Sequence, residues 1–447
     1  MQLYQTVSSA LEYAGSLLWG PATLAAFVFT GFYLSARTRF FQFTHVKTWL
    51  NGTIIGAFRN RGKDGKNGVS PFQATCAALA ACVGTGNIVG VASAICLGGP
   101  GAVFWMWVAS ALGMMTCCCE NILAVKYRVR SENGWHSGPM AYLERGIKSP
   151  FLAKMYALFC TAAAFCMGNM TQSNAVSESL RETFGFNKFA VGAVMCALCG
   201  VVILGGVKRI AQLAEKLVPL SCVVFVVFAF VCIAANYKNI PVAFASIFSG
   251  AFGIRSAGAG IAAHTFSQAL RYGISRGVFS NEAGLGTASI IHGEAETDSP
   301  AAQGMWGIFE VFADTPVMCT VTALVILCSG VYTENTQISA AVLTQAAFEQ
   351  TLGKAGSVFL SLSVCVFAFA TVIGWCCYGE KTASYLSPRT VTGYRWLYIA
   401  TVFIGAVLKI ELVWNFADIL NVFLAAPNLL ALNVLSKQAT DELTYRR

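Results

Sequence analysis

The sequence predicts an all-α polytopic membrane protein of about eleven crossings. Three observations carry that. The 447 residues are 56% hydrophobic and 11% charged, with a mean hydropathy of +0.61, where soluble domains carry roughly 25% charged residues. Residues 67 to 119 contain no Asp, Glu, Lys, Arg or His, a run long enough for two crossings of ~20 residues each. Inside that run sits Cys82-Val83-Gly84-Thr85-Gly86-Asn87, a break at mid-depth that is tolerated only where it lines a cavity or is buried in protein.

The elements follow in order. The first 14 residues lack the basic region of a cleaved signal peptide, so Leu17 to Ala36 is expected to stay as span 1. A basic segment through Lys66 follows, with Phe40 to Trp49 suited to an amphipathic interfacial helix. Span 2 is expected at Pro71 to Leu97, a tight turn at Gly98-Gly99-Pro100-Gly101, and span 3 at Ala102 to Tyr127. Spans 4, 5 and 6 read as Phe151 to Val176, Phe189 to Val207 and Leu217 to Ala235. Asn239 to Ile254 reads as a helix lying at the outer surface, and span 7, Ala257 to Gly293, is interrupted at Phe279 to Gly286. Spans 8 to 11 read as Ala302 to Ser329, Val358 to Tyr378, Trp396 to Leu408 and Leu412 to Leu435.

Basic residues sort these spans by side. Segments 37–66, 120–154, 208–216, 380–395 and the tail after Leu435 hold 22 Lys and Arg, against six on the opposite side, with Arg271 and Arg276 undecided. The richer side is cytoplasmic by the positive-inside rule. The N-terminus is then outside and the C-terminus inside. Spans 2–6 and 7–11 each open with a Gly-broken crossing, entering from opposite sides, which suggests two inverted halves with a binding site between the breaks. The expected units are an N-terminal helix and basic segment (1–66), a first repeat (67–238), a second repeat (239–436) and a tail (437–447).

The breaks carry the chemistry. At Gly84-Thr85-Gly86-Asn87 the second half-helix points its positive end at the gap, which suits a carboxylate. Carbonyls left unpaired by the first half suit Na⁺. At the second break Phe279 can wall a pocket and Asn281 can bond a solute's ammonium or carboxylate. Glu282 is an intramembrane carboxylate, functional by default. It can meet an ammonium, carry a coupling proton, or pair with Arg276 or Arg271, and a structural or gating ion pair is the favoured role. In Gly168 to Asn174, Gln172 donates and accepts, as an amino-acid head group requires. Ser361, Ser363, Ala368 and Thr371 give span 9 a polar side. Ala368 and Thr371 share one face and can complete an oxygen shell, and Trp375 is suited to closing off a small solute. Glu310, Asp314 and Asp418 read as packing or gating groups.

Other function classes recede. The net charge of +9 sets topology rather than marking a nucleic-acid partner. Most of the 17 cysteines lie in apolar spans and read as small core residues, not as a disulfide or zinc framework. No nucleophile–base arrangement, Walker loop or dinucleotide site can be argued, so an enzyme is not expected. An ion channel needs a continuous pore and a filter, and two breaks in one pseudo-symmetric chain argue against it. Proton coupling through Glu282 is the nearer alternative.

Gly84-Thr85-Gly86-Asn87-Ile88, Gly98-Gly99-Pro100-Gly101-Ala102-Val103-Phe104-Trp105-Met106-Trp107-Val108 and Arg276 through Gly286 resemble the alanine or glycine:cation symporter family, also called the sodium:alanine symporter family. The resemblance covers nearly the whole chain. It implies a LeuT-type fold, with one extra N-terminal helix before a five-plus-five inverted repeat. It also implies Na⁺-driven uptake of alanine or glycine across a bacterial inner membrane; the chain is expected to work as a monomer in the lipid bilayer. Carried over, Ala80 and Val83 give carbonyls to one Na⁺, with Ala368 and Thr371 opposite. Thr85 and Gly86 hold the substrate carboxylate, and Phe279 lies at the pocket wall. Val372 stands where related sodium sites often add a second hydroxyl, and Cys82 and Cys117–Cys119 also depart from the pattern.

Overall fold

The computed structural model describes residues 2–59, 69–131, 134–253, 259–333, 340–408 and 411–444. Among the described residues the regular structure is helical apart from one short hairpin and an isolated bridge. Helix α1 (Gln2–Leu18) precedes α2 (Pro21–Arg37), with a bend of 41° between them. The first helix therefore starts well before the expected Leu17, and Pro21 begins a new one because proline lacks the N–H that would continue α1. Short helices α3 (Phe41–Thr44), α4 (Val46–Gly52) and α5 (Ile54–Arg59) replace the single interfacial helix. The rest of the basic segment, 60–68, lies outside the described residues.

Helix α6 (Pro71–Cys82) is started by a capping box: Ser70 Oγ accepts from the Gln73 N–H and Gln73 Oε1 from the Ser70 N–H, both at 3.1 Å. A 3₁₀ turn, Thr85–Asn87, separates it from α7 (Val89–Gly98). After the Gly-Gly-Pro-Gly turn, α8 (Gly101–Tyr127) runs for 27 residues, about 40 Å at the helical rise. A hairpin of β1 (Val129–Ser131) and β2 (Gly134–His136), unforeseen in the sequence, leads to α9 (Pro139–Arg145). Helices α10 (Pro150–Phe165) and α11 (Thr171–Phe184) are one rod with a π-turn at Cys166–Met170, longer than the expected span 4. Then come α12 (Lys188–Ile203), α13 (Gly206–Ala235) and the short α14 (Ile240–Ala251).

The second half opens with α15 (Ala259–Asn281) and α16 (Thr287–His292), separated by the second break. Helices α17 (Pro300–Phe312) and α18 (Thr320–Cys328) are continuous through a π-stretch, Ala313–Cys319, that contains Pro316. An unforeseen helix α19 (Ala340–Leu352) leads into α20 (Lys354–Leu386), which starts and ends beyond the expected span 9. The chain finishes with α21 (Val391–Val407), α22 (Glu411–Val434) and α23 (Ser436–Thr444).

Six described helices are long and apolar enough to cross a membrane, or seven if the bent α1–α2 pair is one span. Several expected crossings fall below that length because they are broken or short, as in α6, α7 and α12. Packing sorts the helices into two groups. Helix α8 lies against α2, α14, α15 and α17, while α20 lies against α10, α11, α13 and α19, and α21 against α11 and α12. Helix α6 and the short α16 pack on each other and both touch α20. The breaks therefore sit where the two groups meet.

Candidate functional site

The first break is held open by close approach. A Cβ on Gly84 would stand 2.3 Å from Thr371 Oγ1 and 3.2 Å from Gln172 Oε1, so only glycine lets α6 end against α20 and α11. Gln172 Oε1 accepts from the Thr85 N–H at 3.2 Å and the Thr85 hydroxyl at 2.9 Å, while its Nε2 donates to the Met167 carbonyl at 3.1 Å. One amide that suits a carboxylate is thus already bonded within the chain. The Gly84 N–H donates to Asn87 Oδ1 at 3.0 Å.

Asn87 links the two breaks. Its Nδ2 donates to Ser280 Oγ at 3.1 Å and to Asp314 Oδ1 at 2.6 Å. Ser280, in the last turn of α15, donates to Asp314 Oδ2 at 2.9 Å, and Thr315 Oγ1 donates to the same oxygen at 2.7 Å. All four side chains are fully buried. Asn87 and Ser280 were legible as polar residues within the two motifs, but their meeting at Asp314 was not.

The second break is a run of left-handed backbone. Glu282 has φ of 56°, Gly284 94° and Gly286 77°. Left-handed geometry at a non-glycine residue costs roughly 1–2 kcal/mol, and hydrogen bonds offset it here. Glu282 accepts from Thr287 Oγ1 at 2.5 Å and from the Trp375 indole N–H at 2.9 Å. The favoured pairing of Glu282 with an arginine is therefore corrected. Arg276 instead holds Asp418 through two parallel bonds of 2.9 and 3.0 Å, with its guanidinium 5.9 Å from the Phe279 ring and 5.7 Å from that of Trp414. An aspartate one helix away offers the matching fork geometry, whereas the turn at Glu282 aims its side chain at α20.

Other buried groups satisfy the rest of this break. Glu120 Oε1 accepts from the Gly284 N–H at 3.0 Å, Asn428 Nδ2 donates to the Gly284 carbonyl at 2.8 Å, and the Tyr156 hydroxyl donates to the Leu285 carbonyl at 2.7 Å. Glu120, not singled out in the sequence, lies within α8 and is 1% exposed. Asn281 sits with both ends of its amide engaged, accepting from the Ala283 N–H at 3.1 Å and donating to Thr315 Oγ1 at 3.0 Å. Glu310 and Asp314 take different partners. Glu310 meets His292 at 2.9 Å, and His292 meets Gln303 at 2.6 Å.

Ala80 on α6, Val83 at that helix's C-terminal end, and Ala368 and Thr371 on α20 are all buried, and the two helices pack together. Thr371 Oγ1 is buried with no hydrogen-bond partner among the described residues. A lone hydroxyl oxygen against the unravelled end of a helix is the kind of donor a small hard cation takes, so the residues present fit Na⁺. One turn along, Trp375 is fully buried and packs over Gly168, where an added Cβ would fall 2.2 Å from the tryptophan Cβ. Phe279 lies between the breaks, with Cδ1 3.6 Å from where a Cβ on Gly86 would stand and its ring 5.0 Å from that of Trp414.

At one end of the molecule the segments flanking both broken helices are tied together. Val69, just before α6, forms a parallel bridge with Ala295, just after α16. Arg128 donates to the carbonyls of Gly293, Ala295 and Thr297 at 2.8, 2.6 and 2.7 Å, and Lys381 meets Glu294 at 2.8 Å.

A family model described as the sodium:alanine symporter family matches residues 4–446. The chain is similar to an uncharacterized transporter of Haemophilus influenzae, 41% identical over 98% of this chain and 95% of that protein. It is similar to a sodium/alanine symporter of Methanococcus maripaludis, AgcS, 39% identical over 97% of this chain and 96% of the relative. Among solved structures it resembles a manganese transporter of Eremococcus coleocola, with a TM-score of 0.56 and 13% identity over 86% of this chain and 87% of that one. The last likeness is one of fold alone.

Proposed function

The chain belongs to the sodium:alanine symporter family, and from that premise we propose that it is a Na⁺-coupled symporter importing alanine or glycine. Membership makes it a secondary transporter of small neutral amino acids and not an enzyme, in an all-α, multi-pass membrane fold related to the LeuT-type transporters. The finer architecture proposed is eleven crossings: the α1–α2 helix pair, then two inverted repeats of five within 67–238 and 239–436. The N-terminus faces outward and the tail the cytoplasm of a bacterial inner membrane, and the monomer is the working unit.

The observation that carries the proposal is the junction of the breaks. Asn87 and Ser280, one from each, converge on Asp314 within 3.1 Å, while Thr371 Oγ1 beside Gly84 lacks a partner. Na⁺ enters at Thr371, Ala368 and the carbonyls of Ala80 and Val83. Its charge orders the Gly84 to Asn87 turn. The amino-acid carboxylate then docks at the Thr85 to Gly86 backbone, where Gln172 must yield or share the Thr85 amide. The ammonium meets carbonyls of the break, Gln172 or Asn281, and Phe279 and Trp375 restrict the side chain. Arg276–Asp418 and Arg128 with Lys381–Glu294 close opposite ends, and alternating access requires that they open in turn. Because binding of both solutes orders the same turn, each raises the other's affinity.

Proton coupling is the second reading, favoured by Glu282 having, among the described residues, only neutral donors, Thr287 and Trp375, as hydrogen-bond partners. The deciding experiment is uptake of labelled alanine into proteoliposomes under an imposed Na⁺ or H⁺ gradient, with glycine, serine and D-alanine as competitors. Accumulation driven by Na⁺ alone supports the proposal, and accumulation driven by H⁺ alone replaces it with the second reading.

A further inference from the structure

Among the described residues, Asn421 on α22 is the buried amide with no partner at either end. It is fully buried, and neither Oδ1 nor Nδ2 makes a hydrogen bond. Leaving such a group unpaired carries its whole desolvation penalty, and native interiors rarely do so without a water or ligand to complete it.

Its place on the helix shows what it faces. Trp414, Asp418, Asn421, Ala425 and Asn428 recur at alternating steps of four and three, so they form one stripe. Three other members of that stripe reach the stretch from Arg276 to Gly284. The Trp414 ring lies 5.0 Å from that of Phe279, Asp418 holds Arg276 at 2.9 Å, and Asn428 donates to the Gly284 carbonyl at 2.8 Å. Asn421 lies on that stripe between Asp418 and Asn428, so its helical register puts it on the face that meets the second break. The polar side chains already there are occupied: Ser280, Asn281 and Glu282 each bond within the chain.

We propose that Asn421 is a specificity-determining residue whose amide takes a hydroxyl or carboxamide on the side chain of the transported amino acid. This role rests on the symport reading above and extends its substrate class. The main-chain end of an amino acid finds its partners at the breaks, so what is left for Asn421 is the side chain. An amide offers one acceptor and two donors. A group that both donates and accepts satisfies both ends at once, and a methyl or ethyl group satisfies neither. A site built to bond a substrate hydroxyl discriminates against the analogue that lacks it, because its own polar group is then left bare.

The test compares serine with 2-aminobutyrate, which replaces the hydroxyl by a methyl group. Both compete against labelled alanine in proteoliposomes of the full-length protein under a Na⁺ gradient. Serine is expected to inhibit at a concentration at least ~10-fold below that of 2-aminobutyrate, and the ratio is expected to fall towards one in Asn421→Leu. In detergent, serine should raise the melting temperature of the wild type more than 2-aminobutyrate does, and that difference should vanish in Asn421→Leu without a fall in ligand-free melting temperature. Equal competition by the two compounds in the wild type overturns the proposal with no variant needed. So does a variant that melts lower without ligand yet keeps the serine preference, which marks a structural asparagine. Loss of Na⁺-driven alanine uptake in the wild type would instead sink the transport reading, and the thermal arm still reads Asn421 in that case.

Discussion

The indole N–H of Trp375 donates to Glu282 at 2.9 Å, so the left-handed corner of the second break is fastened to the helix that carries Thr371. Trp375→Phe keeps an aromatic ring and removes the donor. A hydrogen bond to a carboxylate contributes about 1.5–3 kcal/mol. The expected outcome is a fall of about 10-fold or more in maximal alanine uptake, read in proteoliposomes, with a lower melting temperature in detergent.

Thr371→Ala removes the buried hydroxyl that lacks a partner. The Na⁺ concentration for half-maximal uptake is expected to rise about 10-fold or more, the equivalent of ~1.4 kcal/mol, and Thr371→Ser to restore it. Glu282→Gln separates the two coupling schemes. If it abolishes transport while Thr371→Ala leaves uptake unchanged and an imposed H⁺ gradient alone drives it, the coupling ion is a proton.

Asn87→Asp places a second carboxylate against Asp314, where the amide now sits at 2.6 Å. Like charges at that separation in a buried site are destabilising by several kcal/mol, roughly 3 or more. Uptake should be lost and the melting temperature should drop. The double change Asn87→Asp with Asp314→Asn restores one amide facing one carboxylate, and a partial recovery of melting temperature is the expected result. No recovery would mean that the junction of the breaks does not depend on this pairing.

Arg276 and Asp418 form a two-bonded ion pair with side chains 10% and 19% exposed. A double-mutant cycle with Arg276→Gln and Asp418→Asn should give a coupling of about 1–2 kcal/mol in stability. If the pair closes one end of the transport path, each single change also alters the rate of uptake more than the affinity for alanine.

Much of the fold was legible because the membrane imposes a coarse rule. Apolar runs must be helices, so α8, α13 and α22 stood out, and the glycines at 84, 86, 284 and 286 marked where helices could not continue. Partner choice was less legible. Glu282 has basic residues nearby in sequence, yet its backbone turn sends it to a tryptophan 93 positions away. Glu120 follows an apolar run and precedes a basic loop, and only the approach of the Gly284 backbone explains why a carboxylate stays buried there. The hairpin β1–β2 is short and polar, and α1 carries enough polar residues to pass for a leader to the first span. The π-turns leave almost no trace in sequence, apart from Pro316 and Gly168, whose meaning depends on the neighbour each one meets.

The guanidinium of Arg128, grasping the carbonyls of alternate residues Gly293, Ala295 and Thr297 beside the Val69–Ala295 bridge, knots the roots of both fractured rods at a single point. Neither rod can swing alone while that knot holds. On the alternating-access proposal, opening this end requires Arg128 to release its grip, which would let a residue remote from the cargo tune the tempo of the cycle.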